Sequence, residues 1–184
     1  METGIMKDRL ISELNRFGLR LQSPIDEIFA EEIRRTCLLD PPVERVYALP
    51  AKFVLVNDRL IAQCSRILDI TASSIRGGVM HDIEGLKRIS EIGYSLHDCY
   101  VVYPRHQSSR PCPSVADLVA FFATDATLGV SLNYVVISVM KDNVSAKRFN
   151  FGHCLHCASF PKLDPLVDSR IDHERGGDLI AGPC

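Results

Sequence analysis

The 184-residue chain has no excess of charge of either sign: 21 lysines and arginines stand against 23 aspartates and glutamates, a formal net charge of −2. That balance gives no electrostatic case for binding a nucleic acid or an anionic membrane. No apolar run approaches the roughly 20 residues that cross a bilayer. The start, Met1 to Arg9, lacks a basic region followed by an apolar core. No secretion signal is expected there, and the setting is expected to be cytoplasmic. Low-complexity tracts are absent too, and 46% hydrophobic residues suffice for a sizeable core. The seven cysteines are odd in number and mostly dispersed. Without a secretion signal they are expected as reduced thiols, and the count keeps metal binding open.

The chain divides by pattern into a domain over 1–150 and a Cys- and His-containing tail over 151–184. Met6, Leu10, Leu14, Phe17 and Leu21 recur at helical spacing between polar residues and predict an amphipathic helix. Ser23-Pro24 predicts the cap and first turn of a second helix with Ile25, Ile28, Phe29 and Ile33 inward, ending at Asp40-Pro41-Pro42. Residues 43–49 and 52–57 read as two strands, and Asn57-Asp58 as the turn of a hairpin. Thr71–Met80, small and polar with Gly77-Gly78, reads as a loop. Asp82–His97 reads as a helix with Leu86, Ile89, Ile92 and Leu96 inward. Strands are expected over Tyr134–Val139 and Val144–Phe149.

The most informative stretch runs from Cys99 to Phe122. Cys99–Tyr103 is a β-branched and aromatic run that predicts a buried strand. A Pro- and Ser-rich loop follows. A helix over Val115–Leu128 then ends at Gly129. Strand, loop and helix carry His106, Ser114 and Asp117 in that order. Ser114 and Asp117 have the spacing of a capping box. Imidazole and carboxylate are also ordinary zinc ligands. The two readings are compatible, because a residue in the first helical turn can cap and still present an oxygen elsewhere.

A histidine, a short Pro-rich loop, Ser-x-x-Asp and an apolar helix together resemble the JAMM/MPN metalloprotease motif. The resemblance covers roughly residues 5–150. It implies a cytidine-deaminase-like α-β-α fold, with His106 and Asp117 as zinc ligands and Ser114 as donor to the oxyanion of a tetrahedral intermediate. It also implies Glu44, at the entry to an apolar strand, as the general base acting on metal-bound water. The chain departs from the motif at two positions: Pro104 stands where the family has its first histidine, and Gln107 where it has a proline. Residues two apart on a strand face the same way, so positions 104 and 106 are expected to share the site's face. Catalytic zinc usually keeps three protein ligands, and the motif here supplies two. A third would have to come from His81, His97, Cys112 or the tail.

In the tail, His153, Cys154, His156 and Cys157 interleave His-x-x-His with Cys-x-x-Cys. Those spacings suit zinc or a redox dithiol, and equally a chance cluster in a Cys-rich chain.

The expected fold is an α/β domain with a central mixed sheet flanked by helices. Two functions fit. One is a divergent JAMM/MPN-domain protein with a degraded zinc site, working as a non-catalytic scaffold for a protein partner such as a ubiquitin-like protein, a complex subunit or, in a dimer, itself. The other is a zinc isopeptidase or deubiquitinase-type hydrolase with an atypical third metal ligand.

Overall fold

The computed structural model describes residues 3–38, 45–75, 78–105, 111–140 and 143–151. Glu44, His106 and the tail cluster of His153, Cys154, His156 and Cys157 lie outside the described residues.

A curled mixed sheet lies at the centre, with helices on both faces. Its strands are β1 (Leu19–Leu21), β2 (Tyr47–Val56), β3 (Arg59–Cys64), β4 (Leu68–Asp69), β7 (Cys99–Arg105), β8 (Asn133–Met140) and β9 (Asn143–Phe149), and β5 (Thr71–Ile75) and β6 (Gly78–His81) form a separate hairpin. The order is β1-β3-β2-β7-β8-β9, with β4 pairing β2. The β1–β3 and β7–β8 pairs are parallel, and the other pairs are antiparallel.

Helices α1 (Thr3–Arg16) and α2 (Ile25–Leu38) cover one face. Leu10, Leu14, Phe29 and Ile33 pack there against Tyr47, Leu49, Tyr100, Val102, Val135 and Ile137. Helices α3 (Ile83–Glu91) and α4 (Val115–Leu128) cover the other. Leu86, Ile89 and Phe121 meet Val101, Tyr103, Tyr134 and Val136. Alternation along β7 and β8 thus feeds two cores from one pair of strands.

Several expectations change in detail. The first helix stops at Arg16, because Gly18 turns the chain with φ +72. Leu19 and Leu21 are then buried as strand residues with Arg20 exposed between them. Residues 47–56 are one strand, not two. Its first half pairs β7 up to Pro50, and its second half pairs β3 from Ala51, so the proline sits where the strand changes partner. Thr71–Met80, expected as a loop, contains the β5–β6 hairpin. The helix expected to reach His97 ends at Glu91, and Gly93 at φ +83 leads into a 3-10 turn over Leu96–Asp98. The Asn57-Asp58 turn has both φ angles positive, 48 and 59, the twist that suits a tight hairpin.

The outer edge of the sheet is protected. Helix α1 lies along β9, and Glu13 Oε2 accepts the Ala146 backbone N–H at 3.1 Å. A carboxylate here takes up a ladder donor that would otherwise be open to another strand.

Candidate functional site

The site candidate lies where the C-terminal end of β7 meets the N-terminus of α4. Ser114 is the N-cap of α4, in extended conformation. Its hydroxyl accepts from Asp117 N at 3.2 Å, and Asp117 Oδ2 accepts from Ser114 N at 2.6 Å. The capping box read from the sequence is therefore present. Ser114 Oγ also lies 2.8 Å from Asp117 Oδ2 as a donor. The carboxylate sits in the first turn, where the helix dipole favours a negative charge.

Asp117 has a further partner that the motif does not contain. The guanidinium of Arg105 makes an ion pair with the same Oδ2, with side-chain exposures of 28% for Arg105 and 18% for Asp117. Arg105 reaches it by strand alternation. Val101 and Tyr103 point into the α3–α4 core, and Arg105 continues that face in register with Ser138. Pro104 is in register with Ile137, which lies in the α1–α2 core. Position 104 therefore belongs to the face opposite Asp117, contrary to the expectation that it looks into the site. Arg105 could have been found by carrying the alternation of Cys99, Val101 and Tyr103 one step further.

Of the possible third ligands, His97 and His81 lie away from Asp117. His97 precedes β7 and Arg105 ends it, so the seven-residue strand separates them by about 20 Å. His81 Nδ1 lies 2.6 Å from Thr124 Oγ1. Thr124 follows Asp117 by seven residues of helix, about 10 Å along its axis. Cys112 Sγ is 3.9 Å from Lys147 Nζ. Among the described residues no three His, Cys, Asp or Glu side chains gather in a metal-binding group.

Behind the helix N-terminus lies a buried aromatic and polar seam. Tyr103 packs on Phe121 with centroids 4.7 Å apart, and Phe121 stacks on Tyr134 at 4.1 Å, nearly parallel. The Tyr134 hydroxyl is 2.6 Å from Asp125 Oδ1, which also accepts Leu132 N at 3.1 Å. His81 stands against Tyr103 at 5.3 Å, and burial lowers its pKa to about 4, so its imidazole is neutral near pH 7. This seam fixes α4 against β7 and β8, and with it the position of Asp117. The buried thiols of Cys37, Cys64 and Cys99 are all pushed up by desolvation, the first two to about 12, which leaves them inert.

No family model matches the chain, and no curated protein matches it significantly. No helix among the described residues is long and apolar enough to cross a membrane.

Proposed function

We propose that the chain is a divergent JAMM/MPN-like module whose zinc site is degraded and which works by binding a protein partner. The Arg105–Asp117 ion pair supports this reading most directly. Asp117 Oδ2 already takes the Ser114 N–H, the Ser114 hydroxyl and a guanidinium. A permanently charged arginine supplies there the positive charge that a divalent cation would bring. That oxygen does not fit a metal as it stands. Ser114 and Asp117 then have complete structural roles as cap and counter-ion, and Pro104 removes a ligand from the motif. Without a held metal, Glu44 has no activated water to deprotonate.

Metal content decides between this reading and the zinc isopeptidase that uses Glu44, His106, Ser114 and Asp117. The full chain is purified without chelator, and its zinc is measured beside that of His106→Ala and Cys154→Ala. The proposal expects no zinc that depends on His106. One equivalent lost with His106→Ala overturns it in favour of the hydrolase. Zinc lost only with Cys154→Ala assigns metal to the tail and leaves the β7–α4 site as proposed.

A further inference from the structure

One half of the sheet lies outside the core on one of its faces. The α1–α2 core takes Leu19 and Leu21 from β1, Ala51 from β2, and Ala62 and Cys64 from β3. The α3–α4 core, on the opposite face, takes Ala48 from β2 and nothing from β1 or β3. Side chains alternate along a strand, so the residues between those of the α1–α2 core stand on this second face. The register sets them in three rows. Arg20, Gln63 and Lys52 make the first, Ile61 and Val54 the second, and Arg59 and Val56 the third. Arg20, Lys52 and Arg59 are exposed, and Val54, Val56 and Ile61 are partly so.

The charge on this face is of one sign. On the helices, Arg16, Arg34, Arg35 and Lys87 each meet a glutamate three residues back. Among the described residues Arg20, Lys52 and Arg59 make no ion pair, and no acid stands on this face of the three strands. The one acid of the β2–β3 hairpin, Asp58, is in the turn. A solvated sheet face is ordinary by itself. Unpaired cations set around an aliphatic row are an apolar centre with a charged rim, the anatomy of a protein interface.

The uncompensated charge states what fits. A partner without acids would leave cations desolvated and unpaired. A nucleic acid brings negative charge, but its bases stack on exposed aromatic rings. No aromatic side chain stands on this face of the three strands, and the Tyr94 ring beside it already lies under Lys52 Nζ, 5.2 Å from its centroid. We infer that this face binds an acidic, extended segment of a partner protein. The first and third rows are four residues apart on β2, about 13 Å, and an extended segment repeats its side chains on that same spacing. The segment therefore reads acid-x-aliphatic-x-acid, with its aliphatic side chain on Val54 and Ile61. The inference rests on the partner-binding reading and supplies the chemistry of the partner. The chain's own Asp164, Leu166 and Asp168 have this spacing, but Lys162 and Arg170 flank them and cancel their charge.

An NMR titration of the isotope-labelled full chain with the blocked peptide Ser-Glu-Thr-Val-Thr-Glu-Ser tests this. The amides of Arg20, of 52–56 and of 59–63 shift, and binding weakens as salt rises from about 50 mM to about 500 mM. Arg59→Glu weakens it by about tenfold with unchanged far-UV circular dichroism, and a peptide with glutamine for both glutamates shows a similar loss. Leu55→Glu, on the other face of the same hairpin, leaves binding as it is. Absence of shifts, shifts confined to other residues, or binding indifferent to both Arg59→Glu and the glutamine peptide overturns the inference. Tighter binding of a single-stranded oligonucleotide at the same residues overturns it in favour of a nucleic acid. Binding seen only when Asp164→Asn and Asp168→Asn are introduced together overturns it in favour of the chain's own segment. None of these results touches the zinc measurement, so the two proposals fail separately.

Discussion

The Tyr134 hydroxyl donates to Asp125 Oδ1 across 2.6 Å, and this contact ties α4 to β8 beneath the stacked rings of Phe121 and Tyr134. Asp125 is only 5% exposed, so its acceptor depends on protein donors. Tyr134→Phe keeps the ring stack and removes the donor. Leaving a buried acceptor without its partner costs about 1–3 kcal/mol, and a loss in that range is expected in chemical denaturation. Asp125→Ala removes the acceptor for the Leu132 N–H as well, and is expected to be at least as destabilising. Equal stability of Tyr134→Phe and wild type would show that the contact contributes nothing.

The Arg105–Asp117–Ser114 arrangement makes a second prediction. Ser114→Ala removes the cap and is expected to cost about 1 kcal/mol. Asp117→Ala removes the N3 partner and the counter-ion of Arg105 together, so it is expected to cost more than Ser114→Ala. Both Arg105 and Asp117 are partly exposed, and solvent screens their attraction. The coupling between Arg105→Gln and Asp117→Asn in a double-mutant cycle is therefore expected near 1 kcal/mol. A coupling of zero would remove the ion pair from the argument for a degraded zinc site.

The parts of this region that could be read in the sequence are those set by local chemistry. Ser114 caps and Gly129 ends α4 because a hydroxyl and a left-handed glycine satisfy helix ends wherever they occur, and Asn57-Asp58 turns a hairpin for the same kind of reason. Tertiary pairing decided the rest. Leu21 fits a helical stripe and a buried strand equally well, and β3 takes it as a strand. Pro50 looks like a strand breaker until β2 is seen to change partners there. The thread of the resemblance ran through positions 104 and 106, while the side chain that meets Asp117 belongs to Arg105, on the other face of β7. Strand parity is visible in a sequence, but the face that a distant helix covers is not.

Thiol reactivity follows from burial. Cys37, Cys64 and Cys99 are inside the protein with their thiols held in the protonated form, whereas Cys112 is partly exposed at the entry to α4. Of these four, Cys112 is expected to react first with a maleimide under native conditions, and the others only on unfolding. Peptide mapping by mass spectrometry distinguishes them. Labelling of Cys99 at the rate of Cys112 in the folded protein would contradict the packing of β7 between two helical layers.

His81 predicts how stability changes with acid. Burial lowers its pKa from 6.5 to about 4, so the unfolded chain takes up a proton at a higher pH than the folded chain does. Between those values the unfolded state holds more protons, and stability falls as pH falls. The contribution is fully present above about 6.5 and lost progressively towards 4, amounting to roughly 3 kcal/mol at one pKa unit per 1.36 kcal/mol. Carboxylates add their own slope at lower pH, so the diagnostic comparison is with His81→Gln, which cannot take up the proton. The midpoint of urea unfolding of the wild type is expected to drop faster between pH 6.5 and 5 than that of the variant. Parallel curves would mean that His81 protonates without disturbing Thr124 and Tyr103, and that the seam holding α4 to the sheet tolerates a charge at its centre.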